Sequence, residues 1–178
     1  MFRLQFPAKH IKYWADRYVD KQNHKDREEE KRIIKEIGPR IRHKKFIDKE
    51  DFQAICNWKT KWATRYYNYN QPDFIRAITK TAFSTNDERL RIEVLTLLKG
   101  VGWPVASALL HFMLPNKYPI LDFRALESLG QDVPKKYDFE FWDKYVKYCR
   151  KHAKENGVTL RVLDRALWQF SKEKGKLG

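Results

Sequence analysis

Two apolar helical segments that meet at a Gly-Val-Gly turn constrain the fold of this chain more than any other feature. Residues 86–98 repeat apolar side chains at helical spacing, Gly100-Val101-Gly102 interrupts the repeat, and Pro104 is typical of the first turn of a new helix. Glycine adopts the positive φ angles that a tight reversal needs, and it allows two backbones to approach closely. We therefore predict a helix-hairpin-helix over residues 86–114.

The rest of the chain has the same helical period. Predicted helices cover about residues 7–20, 26–45, 48–69, 72–83, 86–98, 104–114, 122–129, 139–155 and 159–173. Residues 48–69 form either one helix or two. Gly38-Pro39 is expected to kink or split the second helix, Asp48 to cap the third, and Thr85 with Glu88 to form a capping box before residue 86. No segment has a convincing strand pattern, so we predict an all-α, compact multi-helix fold.

We expect one domain over residues 1–178, because no long linker or internal repeat divides the chain. A separable N-terminal subregion before residue 70 is the alternative. Its predicted parts are an N-terminal helical part (1–70), the helix-hairpin-helix (86–114), a proline-rich loop with an aspartate (115–122) and the C-terminal helices (139–173).

The chain is strongly basic. Its 178 residues carry 37 Lys and Arg against 23 Asp and Glu, a formal net charge of +14. The excess is +6, +4 and +4 over residues 1–60, 61–120 and 121–178, so it is not confined to a tail. Such a domain typically binds a polyanion, and we expect a monomer with double-stranded DNA as its partner. A basic protein without a special partner is the alternative.

Several classes of protein are excluded by the residues that the chain lacks. Cys56 and Cys149 are its only cysteines, which excludes a disulfide framework, a four-Cys zinc site and a four-Cys iron–sulfur cluster. The histidines have no metal-ligand spacing, so we expect no metal site formed by side chains. No apolar run is long enough to span a membrane, and the N-terminal segment lacks a signal-peptide pattern. We expect a cytoplasmic protein that does not bind membranes.

The hairpin has the composition of a phosphate-binding turn. Its N–H groups, with the N-terminus of the following helix, can face the DNA backbone and grip it without reading sequence. A plain glycine turn between two core helices is the alternative. The candidate DNA-binding residues are Lys99, Gly100, Val101, Gly102, Trp103 and Arg124.

The sequence LLKGVGWPVASALL followed by YPILD resembles the helix-hairpin-helix (HhH-GPD) base-excision DNA glycosylases, the superfamily of endonuclease III and 3-methyladenine DNA glycosylase. The match covers about residues 86–130. It extends loosely to RVLDRALWQF, which is similar to the helix that packs behind the catalytic loop of the family. The first 70 residues match no family that we can name.

The resemblance implies that Asp122 is catalytic. In the family a Gly/Pro-containing loop after the second hairpin helix leads to an essential aspartate; here nineteen residues separate Gly102 from Asp122, and the loop contains Pro115 and Pro119 but no glycine. Cleavage of an N-glycosidic bond builds positive charge on the deoxyribose, and a carboxylate can stabilise that cation or activate water. The alternative is that Asp122 is an ordinary N-cap.

Two departures from the family narrow the implied chemistry. Bifunctional members carry a nucleophilic lysine two residues after the second hairpin glycine, where this chain has Pro104. Proline cannot form a Schiff base, so we predict a monofunctional enzyme that uses water and has no lyase activity. The missing cysteines exclude the iron–sulfur branches. No cofactor is expected, although the hairpin carbonyls could bind a monovalent cation, as they often do in the family.

The base that would be excised is less constrained by the sequence. A flipped base needs a pocket in which it can stack, and Trp58, Trp62 and Tyr66 are the candidate lining. With Tyr69 these residues also recur at helical spacing, which favours core packing for most of them. An aromatic pocket would suit an alkylated purine through cation–π attraction. Uracil, hypoxanthine, an oxidised purine and other modified bases stay open.

Two other functions fit the same residues. The first is a non-catalytic helix-hairpin-helix DNA-binding protein, in which Asp122 caps its own helix instead of facing a cleft. The second is an α-helical protein-interaction module with an incidental basic surface. Arg161 and Arg165 on the last helix could contact DNA phosphates or pair with carboxylates.

Overall fold

The computed structural model describes residues 2–174 and contains no strand within them, which confirms the predicted all-α fold. The α-helices are α1 (Ile11–Lys21), α2 (His24–Arg32), α3 (Gly38–Lys44), α4 (Lys49–Lys59), α5 (Thr64–Tyr67), α6 (Pro72–Ser84), α7 (Glu88–Glu93), α8 (Trp103–Met113), α9 (Phe123–Ser128), α10 (Phe139–Glu155) and α11 (Leu160–Lys174). Short 3₁₀-helices cover Ala8–His10 and Val94–Leu97. Among the described residues, no helix combines the length and the apolar character that a membrane span requires. Residue 1 and residues 175–178 of the predicted domain lie outside the described range.

The chain forms two compact units. Unit 1 consists of Met1–Asn23 and Pro115–Gly178, and unit 2 of His24–Leu114. The division falls after residues 23 and 114. Unit 1 contains α1 and α9–α11, and unit 2 contains α2–α8.

The core of unit 1 forms where α1 and α9 pack against α11. One face of α11 is apolar, and its Leu160, Leu163 and Leu167 are all buried. The Phe170 ring extends this face and lies 4.8 Å from the ring of Phe6 and 5.4 Å from that of Trp14. Burial of these rings and aliphatic side chains provides most of the driving force that joins the two ends of the chain.

The core of unit 2 is built around α8. Every residue of this helix from Val105 to Met113 is buried, which is expected of a helix that is apolar on all sides. It packs against α3, α4 and α7. His111 is enclosed with its apolar neighbours.

The predicted interruption at Gly38-Pro39 is confirmed as a π-helical segment, Ile33–Ile37, between α2 and α3. The N–H group of Gly38 donates to the carbonyl of Ile33, five residues earlier. Pro39 has no N–H group to donate, and its ring would crowd the carbonyl four residues before it, so the wider turn relieves the strain. Ile33, Ile37 and Ile41 are all completely buried on one face of this segment, whereas Ile34 is 36% exposed.

The first helix of the predicted hairpin motif differs from the sequence prediction. The capping box of Thr85 with Glu88 is wrong: Asp87 is the N-cap, and its Oδ1 accepts a 2.6 Å hydrogen bond from the N–H of Leu90. The α-helix ends at Glu93 and continues as the 3₁₀-helix. Three residues per turn rotate successive side chains by 120° instead of 100°. As a result Leu97 is 62% exposed, whereas Leu95, which the helical pattern did not include, is buried.

Candidate functional site

The Gly-Val-Gly turn of unit 2 forms a tight hairpin that leads directly into α8. The N–H of Val101 donates to the carbonyl of Leu98 at 3.0 Å, and the Val101 side chain is buried. Gly102 is the N-cap of α8, and its carbonyl accepts the N–H of Ala106 at 2.9 Å. Pro104 lies in the first turn of α8, where a helix needs no N–H donor. The predicted helix-hairpin-helix is present, with a 3₁₀ turn before the hairpin.

The two glycines of the hairpin serve different purposes. Gly100 has a φ of 83°, and a Cβ atom there would lie 2.9 Å from Cε1 of Tyr67 and 3.0 Å from Cβ of Tyr66. Backbone conformation and packing therefore both require glycine at position 100. Gly102 has an ordinary φ of −89°, and its Cβ would meet nothing closer than Pro104 Cδ at 3.9 Å. Glycine at position 102 leaves the N-terminus of α8 uncovered.

The side chain of Asn70 holds the backbone of Lys99, which lies 29 residues later in the sequence, next to the hairpin. This side chain is 3% exposed. Its Oδ1 accepts the N–H of Lys99 at 2.7 Å, and its Nδ2 donates to the carbonyl of Lys99 at 3.0 Å. A third bond runs from Nδ2 to the carbonyl of Tyr67 at 3.2 Å. Sequence reasoning missed this residue, because an asparagine before a proline-led helix reads as an ordinary turn residue.

The family resemblance implies a monovalent cation at the hairpin carbonyls. The Leu98 and Lys99 carbonyls each accept one hydrogen bond, from Val101 N–H and Asn70 Nδ2. A carbonyl oxygen has a second lone pair, so both remain capable of binding a monovalent cation. The cation itself stays a prediction.

The candidate DNA-binding side chains lie in both units. Lys99 is exposed, and its Nζ lies 5.8 Å from the centre of the Tyr69 ring. Trp103 is the half-buried first residue of α8. Arg124, in unit 1, is half-buried, and its guanidinium lies 4.9 Å from the ring of Phe123 and 5.3 Å from that of Trp168. Their contact with DNA stays a prediction.

The structure gives the three candidate base-stacking residues different surroundings. Trp58 is half-buried, and its ring lies 5.3 Å from that of Phe112. Trp62 is 96% exposed and Tyr66 is 40% exposed. Tyr69 is 60% exposed, so core packing is wrong for three of the four aromatic residues. The helix α4 ends at Lys59, which removes the helical register that the core interpretation required.

Asp122 is the N-cap of α9 in unit 1. Its Oδ1 accepts a 3.0 Å hydrogen bond from the N–H of Arg124, and the residue is half-buried. Burial, and after it the negative charge of Asp122, raises the pKa of Tyr137, so this phenol stays neutral. The cap bond is the contact that the non-catalytic alternative requires, and it engages one of the two carboxylate oxygens.

The loop before Asp122 is held by buried side chains of α10 and α11. The N–H of Ile120 lies 3.3 Å from each carboxylate oxygen of Asp164, which is 4% exposed. The hydroxyl of Tyr145 donates to the Ile120 carbonyl at 2.8 Å, and burial raises the pKa of this phenol well above its ordinary value. Ile120 is thus fixed at both of its backbone polar groups, two residues before Asp122.

The resemblance placed the sequence RVLDRALWQF behind the catalytic loop, and Asp164 is the aspartate of that sequence. The sequence does not predict that Asp164 holds Ile120, because a single aspartate on an amphipathic helix is expected to be solvent-exposed. The same holds for Tyr145, which reads as part of the apolar face of α10.

No protein-family model and no curated protein matches the chain. Among solved structures, it is similar to the Methanocaldococcus jannaschii 8-oxoguanine glycosylase/lyase in complex with a 15mer DNA that contains 8-oxoguanine. The two are 19% identical with a TM-score of 0.49, over 93% of this chain and 82% of that one. It is also similar to a structure of the 8-oxoguanine DNA glycosylase of the same organism, with 19% identity, a TM-score of 0.48, and 93% and 79% of the two chains covered.

Proposed function

We propose that this protein is a monofunctional DNA glycosylase that hydrolyses the N-glycosidic bond of a flipped, modified base. Asp122 is the catalytic carboxylate, the Gly100-Val101-Gly102 hairpin binds the DNA backbone, and an alkylated purine is the preferred base. We argue this function from the residues of the chain itself.

The fixed backbone before Asp122 is the observation that carries the proposal. Electrostatic catalysis requires a charge that is already in place when the transition state forms. Asp164 and Tyr145 hold both polar groups of Ile120 from the buried side of unit 1. The anchored loop fixes the place at which Asp122 begins α9, as a preorganised carboxylate requires.

Asp122 has a chemically suitable environment for this role. As the bond to the base breaks, positive charge develops on the sugar, and a nearby carboxylate lowers the energy of that state. The half-buried position reduces screening by water. Because Pro104 stands where a lysine would attack the sugar, water is the nucleophile in this proposal.

The hairpin provides the DNA contact. Gly102 needs to be glycine for neither its φ nor its packing within the protein. It is exposed at the N-terminus of α8, the end of a helix that favours a phosphate. Asn70 and Tyr67 hold the turn rigid, which reduces the entropy lost when the backbone of DNA binds.

A second candidate function is favoured by one observation. The hydrogen bond from the Arg124 N–H to Asp122 Oδ1 is a sufficient structural reason for an aspartate at this position. In that case the protein binds DNA through its hairpin without catalysis.

Substitution of Asp122 separates these functions. Asn is as good an N-cap as Asp, so Asp122→Asn keeps the bond to Arg124 and removes only the charge. Duplexes with alkylated, deaminated and oxidised bases, including 8-oxoguanine, are incubated with enzyme, and alkali reveals abasic sites. We expect excision that needs alkali for strand cleavage, and a loss of at least about 100-fold in rate with Asp122→Asn.

Asp138→Asn is the matched control, because Asp138 caps α10 in the same unit and accepts the N–H of Phe141 at 2.8 Å. This variant should excise at the wild-type rate. Strand cleavage without alkali would contradict the monofunctional mechanism. Binding without excision of any base would leave the DNA-binding function.

A further inference from the structure

Helix α11 presents a continuous row of basic and aromatic side chains along one face. Residues spaced by three or four positions lie above one another on a helix. The row consists of Arg161, Arg165, Trp168 and Lys172. Of the two acidic residues of α11, Asp164 faces the Ile120 N–H, and Glu173 accepts two bonds from Arg17 Nε and one from Arg17 Nη2. Within the row, Arg161 Nη2 donates to the Tyr18 hydroxyl at 3.4 Å.

Aromatic rings connect this row to the first turn of α9. Lys172 Nζ lies 4.6 Å and Arg124 Cζ lies 5.3 Å from the centre of the Trp168 ring. The ring of Tyr18, on α1, lies 5.3 Å from that of Trp168 in an edge-to-face arrangement. The guanidinium groups of Arg161 and Arg165 lie 5.5 Å and 5.8 Å from the Tyr18 ring.

These contacts define a basic stripe in unit 1, all of whose members are half-buried: Tyr18, Arg124, Arg161, Arg165, Trp168 and Lys172. The rings hold four cationic groups close together although like charges repel, because the face of each ring attracts a cation. Side chains that are already ordered lose less entropy when they bind an anion.

We propose that the basic stripe is a second DNA-binding surface, which binds backbone phosphates of the strand that carries the target base. This inference rests on the proposed function. The N–H of Arg124 donates to Asp122 Oδ1, so the stripe begins in the helical turn that Asp122 caps. A phosphate held by the Arg124 guanidinium therefore belongs to the target nucleotide or to one of its neighbours.

Nucleic-acid phosphate fits the stripe better than an acidic protein surface does. Guanidinium groups bind phosphate oxygens through two parallel hydrogen bonds, and three of the four cations are arginines. Phosphates along a strand repeat at regular intervals, and three of the four cations of the stripe, Arg161, Arg165 and Lys172, likewise follow one another along α11. The charge of the whole chain, +14, also favours a polyanion.

The salt dependence of DNA binding tests the proposal. The probe is a duplex with a tetrahydrofuran abasic analogue, which has no base to excise. Each lost phosphate contact lowers the slope of log Kobs against log salt concentration by about 0.9. The double variant Arg124→Gln with Lys172→Gln should lower this slope by about two and should weaken binding to duplexes of different sequence equally.

Lys147→Gln with Lys151→Gln is the matched control. Both lysines lie on α10 in the same unit, are about 70% exposed, and pair with Asp143 and Glu155 of their own helix. The control removes the same charge, so an equal slope for both double variants would overturn the proposal. Arg124→Lys with Lys172→Arg keeps both charges and should restore the wild-type slope, which excludes a folding defect as the cause.

The outcome is independent of catalysis. If no base is excised but the slope falls as expected, the proposed glycosylase activity fails and the DNA-binding surface stands. If bases are excised and the slope does not change, the proposed DNA-binding role of the basic stripe is wrong and the proposed glycosylase activity is kept.

Discussion

Tyr67 illustrates how much of the hairpin depends on single side chains. Its ring is completely buried and occupies the space in which a side chain at position 100 would lie. Burial, followed by the neighbouring Cys56, raises the pKa of Tyr67 to about 12. The folded state therefore keeps this phenol neutral at pH values at which the unfolded chain has already ionised it.

The raised pKa predicts a specific loss of stability in alkali. In the unfolded chain the phenol ionises near pH 10, so the stabilisation is complete below pH 10 and is lost as the pH rises to about 12. Tyr67→Phe keeps the ring and removes the ionisation, so its stability should fall less steeply over this range. Denaturant unfolding of both proteins between pH 9 and 12 measures the difference. Parallel curves would show that Tyr67 does not carry this pH dependence.

At the scale of single elements, prediction from sequence succeeded where the local pattern and the packing agree. Helix α10 spans Phe139–Glu155 as its apolar period and the following glycine predicted. The first hairpin helix was mispredicted, because it changes to a 3₁₀-helix at Val94, and the apolar period of residues 86–98 does not mark that change.

In the candidate site, too, the sequence reveals residues that belong to a local motif and does not reveal residues that act through distant contacts. Gly100, Gly102 and Asp122 stand out because motif spacing is a property of neighbouring residues. Asn70 and Asp164 contact backbone groups 29 and 44 residues away, and no pattern in a single sequence marks such pairs.

Helix α10 offers an internal comparison for the loop before Asp122. Tyr145 donates to the buried carbonyl of Ile120, whereas Tyr148 accepts the N–H of Leu4, which is half-buried. Tyr145→Phe leaves a buried acceptor unpaired, which costs about 1–3 kcal/mol, and Tyr148→Phe should cost less because water can reach the Leu4 N–H. Urea unfolding should give this order of stability.

Catalysis distinguishes the two tyrosines further. If the bond to Ile120 positions Asp122, single-turnover excision should slow with Tyr145→Phe and not with Tyr148→Phe, while the Kd for an abasic duplex stays constant for both. Equal excision rates would mean that the bond only stabilises the fold.

At the scale of the whole molecule, unit 1 combines a segment that precedes unit 2 in the sequence with a segment that follows it. Helix α1 packs along α11, about 150 residues later in the sequence, and α2–α8 lie between them in unit 2. Composition does not reveal this division, because neither boundary is marked by a Gly/Ser-rich linker. The proposed catalytic residue and the basic stripe belong to unit 1, and the hairpin belongs to unit 2.

This connectivity predicts which helices lose protection from amide hydrogen exchange when one buried side chain is truncated. Ile11 on α1 is 1% exposed, and Ile11→Ala leaves a cavity that should cost about 2–5 kcal/mol. Because α1 completes unit 1, amide hydrogen exchange should accelerate in α1 and α11 together, while α8 keeps its protection. Ile55→Ala, at a completely buried position on α4, should have the converse effect. If either variant accelerates exchange in both units equally, the two units unfold as one cooperative domain, as the sequence predicts for residues 1–178.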